Sequence, residues 1–198
     1  MPTAELLLEG TIAEIASPPK KGITLIMNLA NITRLHNVTF SVAYMRRMIA
    51  LLEDYSTKRK VFGSELKNQP LQIIEMSKMK FTFEGCFILL LQLIKMHSKT
   101  ELNPNHKHKH LLRLLLPLAK IFTARSSEEL CLEGIQSFGG VGYMENSFIP
   151  QILRDTIVTS IWEGSINLLS FDFIKVIQSN PKVLVNLLDK IEKRFNSM

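Results

Sequence analysis

Residues 23–55 have the sequence ITLIMNLANITRLHNVTFSVAYMRRMIALLEDY, in which apolar side chains return at every third or fourth position. Met27, Leu35, Val42 and Ile49 illustrate this spacing. Because an α-helix completes a turn every 3.6 residues, the pattern places these side chains on one face. The segment is therefore predicted to be one long helix that buries this face in a core.

The helical pattern continues along the chain. Further helices are predicted over residues 64–97, 106–135, 147–153, 165–177 and 181–195. Pro70 falls in the first turns of the second helix, where proline is tolerated, and Pro117 is expected to kink the third. Ser147 is expected to cap the short fourth helix. Long helices with short connections predict an all-α fold, an antiparallel helical bundle.

The N-terminal residues show a different pattern. Residues 6–15 alternate loosely around Gly10, which predicts a short β strand, and the sequence SPPKKG at 17–22 supplies a turn that ends it. A single strand cannot form a sheet. We therefore interpret residues 1–21 as the remnant of a β domain and residues 22–198 as a C-terminal helical-bundle domain, and expect the chain to be the tail of a longer protein.

Composition sets limits on the class of protein. With 198 residues, of which 46% are hydrophobic, the chain has enough apolar surface for a core, which argues against disorder. Cys86 and Cys131 lie far apart, so we expect neither a disulfide framework nor a thiolate zinc site. We expect no membrane span, because the longest apolar run is too short. The net charge of +6 favours anionic partners without selecting among phosphates, coenzyme A, nucleic acid and acidic proteins.

Two glycine-containing segments are the strongest functional signals. The sequence QSFGGVGY at 136–143 predicts a loop that adopts positive φ and approaches a ligand closely. The sequence IWEGS at 161–165 places Glu163 beside a glycine, a bulky apolar neighbour and a predicted helix start. Burial there would raise the pKa of a carboxylate, as a general base requires, and helix amides would stabilise a developing anion. The alternative is an ordinary acidic residue in the first turn of a helix.

Together with RKVFG at 59–63, these segments resemble the C-terminal helical domain of the acyl-CoA dehydrogenases, FAD enzymes that desaturate acyl-CoA thioesters between Cα and Cβ. The resemblance extends over about residues 9–176. WEGS at 162–165 is similar to the Tyr-Glu-Gly-Thr sequence of the family, which implies that Glu163 removes the α-proton of the substrate while FAD accepts the β-hydrogen as hydride.

The resemblance also implies a set of residues that hold FAD. They are Arg59, Phe62, Gln136, Gly139, Gly140, Ser165 and Asn167. Gln136 and Gly140 correspond to family positions that contact the pyrophosphate of the FAD in the neighbouring subunit, and Arg59 would offer paired donors to phosphate oxygens. Ser165 and Asn167 are shorter than the Thr and Gln of the family, which leaves their individual contacts open.

The substrate side of the site is assigned by the same resemblance. NITR at 31–34 is similar to a family element whose arginine lies near the active site, so Arg34 and Gly164 are predicted on the substrate side. The alternative for Arg34 is a surface position on the helix. Isovaleryl-type members take their base from this helix, but Thr33-Arg34 lacks that glutamate, which leaves Glu163 without a competitor.

The motifs at 31–34, 44–47 and 160–167 resemble a subgroup, the AidB-type flavoproteins and the related nematode long-chain acyl-CoA dehydrogenases. The resemblance implies a homodimer or homotetramer and an electron-transfer flavoprotein as acceptor. We do not expect this chain to be active alone, because a base without the opposing wall of its pocket cannot hold a substrate in register. The mitochondrial matrix and the cytoplasm both remain open. One alternative is an AidB-like protein that binds DNA through basic residues such as Arg46 and Lys60, which we do not expect without an extra basic C-terminal region. Another is a non-catalytic remnant that dimerises with a relative.

Two other clusters were weighed. His106 and His110 would share one helix face at metal-ligand spacing, but the intervening lysines repel cations and no third ligand is evident, so no metal site is predicted. Phe81, Phe83 and Phe87 would suit either an acyl-chain tunnel or the core, and core packing is favoured.

Overall fold

The computed structural model describes residues 4–103 and 105–197. Its helices are α1 (Gly22–Lys58), α2 (Pro70–Leu102), α3 (Lys109–Phe138), α4 (Gly140–Tyr143), α5 (Ile149–Ile161), α6 (Ile166–Ser179) and α7 (Pro181–Phe195). Two short strands, β1 (Lys60–Val61) and β2 (Ser64–Glu65), pair antiparallel, and single 3₁₀ turns cover Leu66–Asn68 and Glu145–Ser147. The predicted helical fold is confirmed.

The core lies where α1, α2 and α3 pack against one another. From α1 it receives the apolar face predicted from the sequence, with Val38, Met45 and Leu52 all fully buried. Leu93 of α2 and Leu116 of α3 meet this face. Burial of such side chains contributes on the order of 1.5–3 kcal/mol each, so this three-helix core is the frame that holds the site.

The second helix begins later than the sequence pattern predicted. Residues 60–65 form a hairpin in which Lys60 pairs with Glu65, and helix α2 begins only at Pro70. Phe62 and Gly63 form the turn with φ of 48° and 82°, and positive φ at both central residues is typical of two-residue hairpin loops. Proline at the first helical position fixes φ without losing a hydrogen bond, which explains the later start.

The strand predicted over residues 6–15 is not formed. Residues 4–21 contain neither helix nor strand, and their apolar side chains lie in solvent, with Leu7 90% and Ile12 97% exposed. The physical reason is that a strand needs a partner for its backbone hydrogen bonds, and none exists among the described residues. The interpretation of residues 1–21 as part of a β domain stays a prediction.

Two smaller boundaries also differ from expectation, and a third agrees with it. Helix α3 begins at Lys109, so His106 precedes it and does not share a helix face with His110; its ring instead lies 4.8 Å from that of His108. The helix predicted over 147–153 continues to Ile161, and the Ser147 hydroxyl accepts a hydrogen bond from its first amide. Helix α7 matches its predicted bounds.

Some surface properties follow from the described residues. Phe81 is 81% exposed, so its predicted core packing is wrong, whereas Phe83 packs against the core and stacks on Phe87. No described helix combines the length and apolarity that crossing a bilayer requires. In residues 4–103 and 105–197, no three His, Cys, Asp or Glu side chains are grouped to hold a metal ion.

Candidate active site

Glu163 lies in a sharp turn between two helices. Helix α5 ends at Ile161 and α6 begins at Ile166. Between them Glu163 has φ 59° and Gly164 has φ 109°, both in the left-handed region. A side chain at Gly164 would meet Leu169 at 3.0 Å as well, so only glycine suits this position. Positive φ is uncommon for a glutamate, which means that the surrounding contacts must hold the turn in place.

The carboxylate of Glu163 is fixed from helix α1. The hydroxyl of Thr33 donates to Oε2 of Glu163 at 2.6 Å. The same hydroxyl lies 3.1 Å from the carbonyl of Ala30 and has only one proton to donate, so the shorter contact to the carboxylate is the favoured one. Glu163 itself is half-buried. One of its oxygens is therefore oriented, and the side chain remains open to solvent on one side.

The backbone of the turn is held by two buried cations. Arg34 donates from Nε to the carbonyl of Glu163 at 3.3 Å, and Lys120 donates from Nζ to the carbonyl of Gly164 at 2.8 Å. Arg34 is 4% exposed and Lys120 is fully buried. Because these carbonyls lie in the gap between α5 and α6, the cations replace the amides that a continuous helix would supply. The surface alternative for Arg34 is therefore wrong.

Asp172 of α6 balances the charge of this region. Its carboxylate accepts from Nη1 of Arg34 at 3.0 Å and from both terminal nitrogens of Arg113. Burial opposes ionisation of Asp172, but the Arg113 and Arg34 guanidiniums outweigh it and hold its pKa below the usual value. We call the whole arrangement the glutamate cluster: Thr33, Arg34, Lys120, Glu163, Gly164 and Asp172.

The pKa of the Lys120 ammonium group is strongly lowered in this cluster. Desolvation by burial, together with the neighbouring Arg34 charge, lowers the pKa of Lys120 to about 8, against the opposing attraction of Glu128 and Glu163. The sequence analysis did not identify Lys120 or the contact of Thr33. A lysine set between apolar residues, as in LLPLAKIF at 115–122, was the available signal for the first.

The second predicted segment forms a glycine turn at the end of α3. Gly139 has φ 63° and separates α3 from the short α4. A side chain at Gly142 would collide with the carbonyl oxygen of Ile135, whereas one at Gly140 would meet nothing within 4 Å. The fold thus requires glycine at 139 and 142, but it does not require glycine at 140.

An aromatic pair, Tyr55 of α1 and Phe138 at the end of α3, supports the glycine turn. The Tyr55 hydroxyl donates to the carbonyl of Phe138 at 3.3 Å, and the two rings lie 4.9 Å apart. A cavity of about 370 Å³ opens at this turn, with a lining that includes Tyr55, Arg59, Gln136, Phe138, Gly139 and Gly140. We call it the glycine-turn cavity. Four predicted cofactor residues therefore share one site.

The other predicted residues lie elsewhere. Phe62 is 99% exposed at the tip of the hairpin and does not line the glycine-turn cavity. Ser165 and Asn167 are exposed at the start of α6, beside the glutamate turn, and the Ser165 side chain makes no capping bond to the helix. The structure thus groups these two with Glu163 rather than with Gln136.

The two parts of the predicted site lie far apart along α1. Arg34 belongs to the glutamate cluster and Arg59 to the glycine-turn cavity, and a rise of ~1.5 Å per residue separates them by about 37 Å. A cavity of about 610 Å³ lies between α1, α2 and α3 near the glutamate cluster, and Arg113 lines it but Glu163 does not. Within one chain the two parts do not form a single pocket.

The chain matches a known protein family over most of its length. Residues 20–172 match the family described as "Acyl-CoA dehydrogenase, C-terminal domain". The chain belongs to this family. The fold and the family predicted from the sequence are thereby confirmed.

Specific relatives agree with this assignment. The chain is 39% identical to acyl-CoA dehydrogenase family member 11 of Caenorhabditis elegans, over 98% of this chain and 31% of that protein. It is 30% identical to AidB of Escherichia coli, over 91% of this chain and 33% of that protein. The crystal structure of Caenorhabditis elegans ACDH-11 in complex with C11-CoA superposes with a TM-score of 0.83 and 37% identity, over 87% of this chain and 29% of that one. The chain spans about a third of the length of these relatives.

Proposed function

We propose that this chain carries the catalytic base of an FAD-dependent acyl-CoA dehydrogenase. The observation that supports this most is the glutamate cluster, in which the Thr33 hydroxyl holds a half-buried carboxylate while Arg34 and Lys120 hold the backbone of its left-handed turn. A structure so costly in backbone conformation and buried charge is typical of a functional site. The relative solved with C11-CoA supports an acyl-CoA as the substrate class.

Glu163 would accept the α-proton of the thioester on its carboxylate. The hydrogen bond from Thr33 to Oε2 fixes the orientation of the Glu163 side chain. The lone pairs of the carboxylate that remain free therefore point in a defined direction. Helix α6 begins at Ile166, and the amides of its first turn have no intrahelical acceptor. Those amides and the helix dipole would stabilise the negative charge that forms on the thioester oxygen.

The glycine-turn cavity fits the phosphate portion of FAD. Arg59 supplies a guanidinium that makes no ion pair with the described residues, Gln136 supplies an amide, and Gly140 leaves its backbone uncovered although the fold does not require glycine there. When bound, FAD supplies the acceptor for the β-hydrogen. Phe62, exposed at the neighbouring hairpin, would add an apolar contact.

The separation of the two regions implies an oligomer. Because about 37 Å lies between Arg34 and Arg59 on one helix, we propose that each active site takes Glu163, Ser165 and Asn167 from one copy and the glycine turn from another. A homodimer or a homotetramer provides this arrangement. An electron-transfer flavoprotein is the expected electron acceptor.

Anaerobic flavin bleaching tests the assignment of Glu163. In the flavin-loaded enzyme with a long acyl-CoA, Glu163→Gln should slow bleaching by roughly 10²–10⁴-fold, the usual contribution of a general base. Glu145→Gln is the matched control, because Glu145 is exposed and pairs only with Arg154 at the surface. Bleaching of the Glu163→Gln enzyme at the wild-type rate would show that another group is the base.

A further inference from the structure

We propose that Lys120 is a positioning residue, whose ammonium group anchors the carbonyl of Gly164 and thereby sets the orientation of Glu163. The proposal rests on the function proposed for Glu163. Lys120 lies on α3, 43 residues before Glu163 in the sequence. Its side chain neither contacts the Glu163 carboxylate nor lines the glycine-turn cavity.

Packing alone does not account for a lysine at position 120, because an apolar side chain would fill the same volume without the free-energy cost of desolvating an ammonium group. Its residue surface is fully buried, and desolvation of an ammonium group is expensive unless it is hydrogen-bonded. The ammonium group makes a 2.8 Å bond to the Gly164 carbonyl. The Lys120 charge is also repelled by Arg34 and attracted by Glu128 and Glu163. The cost is therefore offset at the glutamate turn.

The geometry explains why this one bond affects Glu163. Glu163 and Gly164 both have positive φ, and their successive carbonyls point to two different cations, Arg34 and Lys120. Loss of Lys120 would leave the turn held at a single backbone point. The carboxylate would then keep its bond to Thr33 while the backbone behind it relaxed, which changes the direction in which the free lone pairs point.

Lys120→Met tests the anchor directly, because methionine fills the volume without donating. In the full chain, amide hydrogen exchange at Trp162 and Leu169, the hydrogen-bonded amides that flank the turn, should become about tenfold faster, the scale of one hydrogen bond, while core amides of α1 stay protected. Trp162, the only tryptophan of the chain, precedes Glu163 and should change its emission. Thr123→Val is the matched control, since Thr123 is equally buried on α3 but bonds only within its own helix.

Exchange at Trp162 and Leu169 in Lys120→Met that equals that of Thr123→Val would overturn the proposal. If Lys120→Met does not fold, the wild-type chain still decides. The ammonium protons of Lys120 should be protected enough to give an NMR correlation to Gly164, and rapid solvent exchange of these protons would equally overturn it.

Kinetics separate this proposal from the function on which it rests. In the flavin-loaded enzyme Lys120→Met should lower kcat with little change in KM, because the substrate contacts remain while the base is misdirected. If Glu163→Gln has no effect on bleaching but the turn still loosens in Lys120→Met, the proposed function fails and the anchor stands as a structural one. If Glu163→Gln abolishes bleaching and Lys120→Met leaves both kcat and the turn unchanged, only the positioning role fails.

Discussion

The glutamate cluster and the glycine-turn cavity are built in opposite ways. In the glutamate cluster, buried cations and a half-buried hydroxyl are directed at the turn that carries Glu163. At the glycine turn, support comes from the apolar contact of Tyr55 with Phe138, while Arg59 and Gln136 are exposed. The first region holds the proposed base, and the second is the proposed site for a ligand.

The difference also separates stability from binding. Polar groups of the glutamate cluster satisfy one another, so removing one leaves a buried partner without its bond. Polar groups of the glycine-turn cavity face solvent, so removing one costs little until a ligand is present. Matched substitutions in the two regions should therefore have different effects.

The largest difference is expected between two arginines of α1. Arg34→Met leaves Asp172 with only Arg113 and frees the Glu163 carbonyl, so the free energy of unfolding should fall by about 3–5 kcal/mol. Arg59→Met should change it by less than about 0.5 kcal/mol. Urea denaturation of both variants measures the contrast, and equal losses would remove the distinction between the two regions.

The next effect is a pH dependence of the free energy of unfolding that arises in the glutamate cluster and not at the glycine turn. Burial lowers the pKa of Lys120 to about 8, whereas the unfolded chain keeps a value of 10.5. Between these values the unfolded chain binds the proton that the folded chain has released, so stability rises with pH through this window. The rise attributable to Lys120 is at most about 3 kcal/mol.

Chemical denaturation at pH 7 and pH 10 measures this effect as a difference between the wild type and Lys120→Met. The comparison removes the contribution of other groups, such as Cys131, whose burial raises the pKa of its thiol to about 11. A variant that shows the same pH slope as the wild type would mean that Lys120 does not release its proton in this window.

Two glycines of the glycine turn should behave differently. Gly142→Ala places a side chain against the Ile135 carbonyl and should cost about 1–3 kcal/mol. Gly140→Ala meets no atom within 4 Å and should leave the free energy of unfolding within about 0.5 kcal/mol of the wild type. In the assembled enzyme, Gly140→Ala should nevertheless weaken FAD binding, measured by flavin release on dilution. Retained flavin affinity would show that no ligand approaches Gly140.

The smallest expected effect concerns the contact between Tyr55 and Phe138 that supports the glycine turn. Tyr55→Phe removes the bond to the Phe138 carbonyl but keeps the ring contact, so it should cost about 1 kcal/mol. Thermal unfolding followed by circular dichroism measures this. A loss as large as that of Arg34→Met would indicate that the glycine turn depends on polar contacts after all.

Local patterns in the sequence were enough to predict most helices. The apolar period identified α1, and proline with a following amphipathic pattern gave the bounds of α7. The loop at 136–143 was expected to adopt positive φ, and Gly139 does so, whereas Gly140 and Gly142 lie in the short helix α4. The hairpin at 60–65 was missed, since its two-residue turn at Phe62 and Gly63 interrupts a pattern that otherwise suits a helix.

Contacts between distant residues were not available from local patterns. Lys120 and Gly164 are 44 residues apart, and Thr33 and Glu163 are 130 apart, so only the packed bundle brings them together. The family resemblance named Glu163 and Gln136 without indicating that they lie beside distant parts of α1, near Thr33 and Arg59 respectively. That separation is a property of the three-dimensional fold, and it leads to the proposal of a site shared between copies.

Subunit complementation tests this shared site most directly. One copy carries Glu163→Gln and the other Arg59→Glu, each expected to be inactive when assembled alone. In mixed dimers one site combines the intact Glu163 of one copy with the intact glycine turn of the other, so an equal mixture should recover about a quarter of the wild-type flavin bleaching. A mixture as inactive as its parents would contradict the account, because it would mean that both regions serve the same site within one chain.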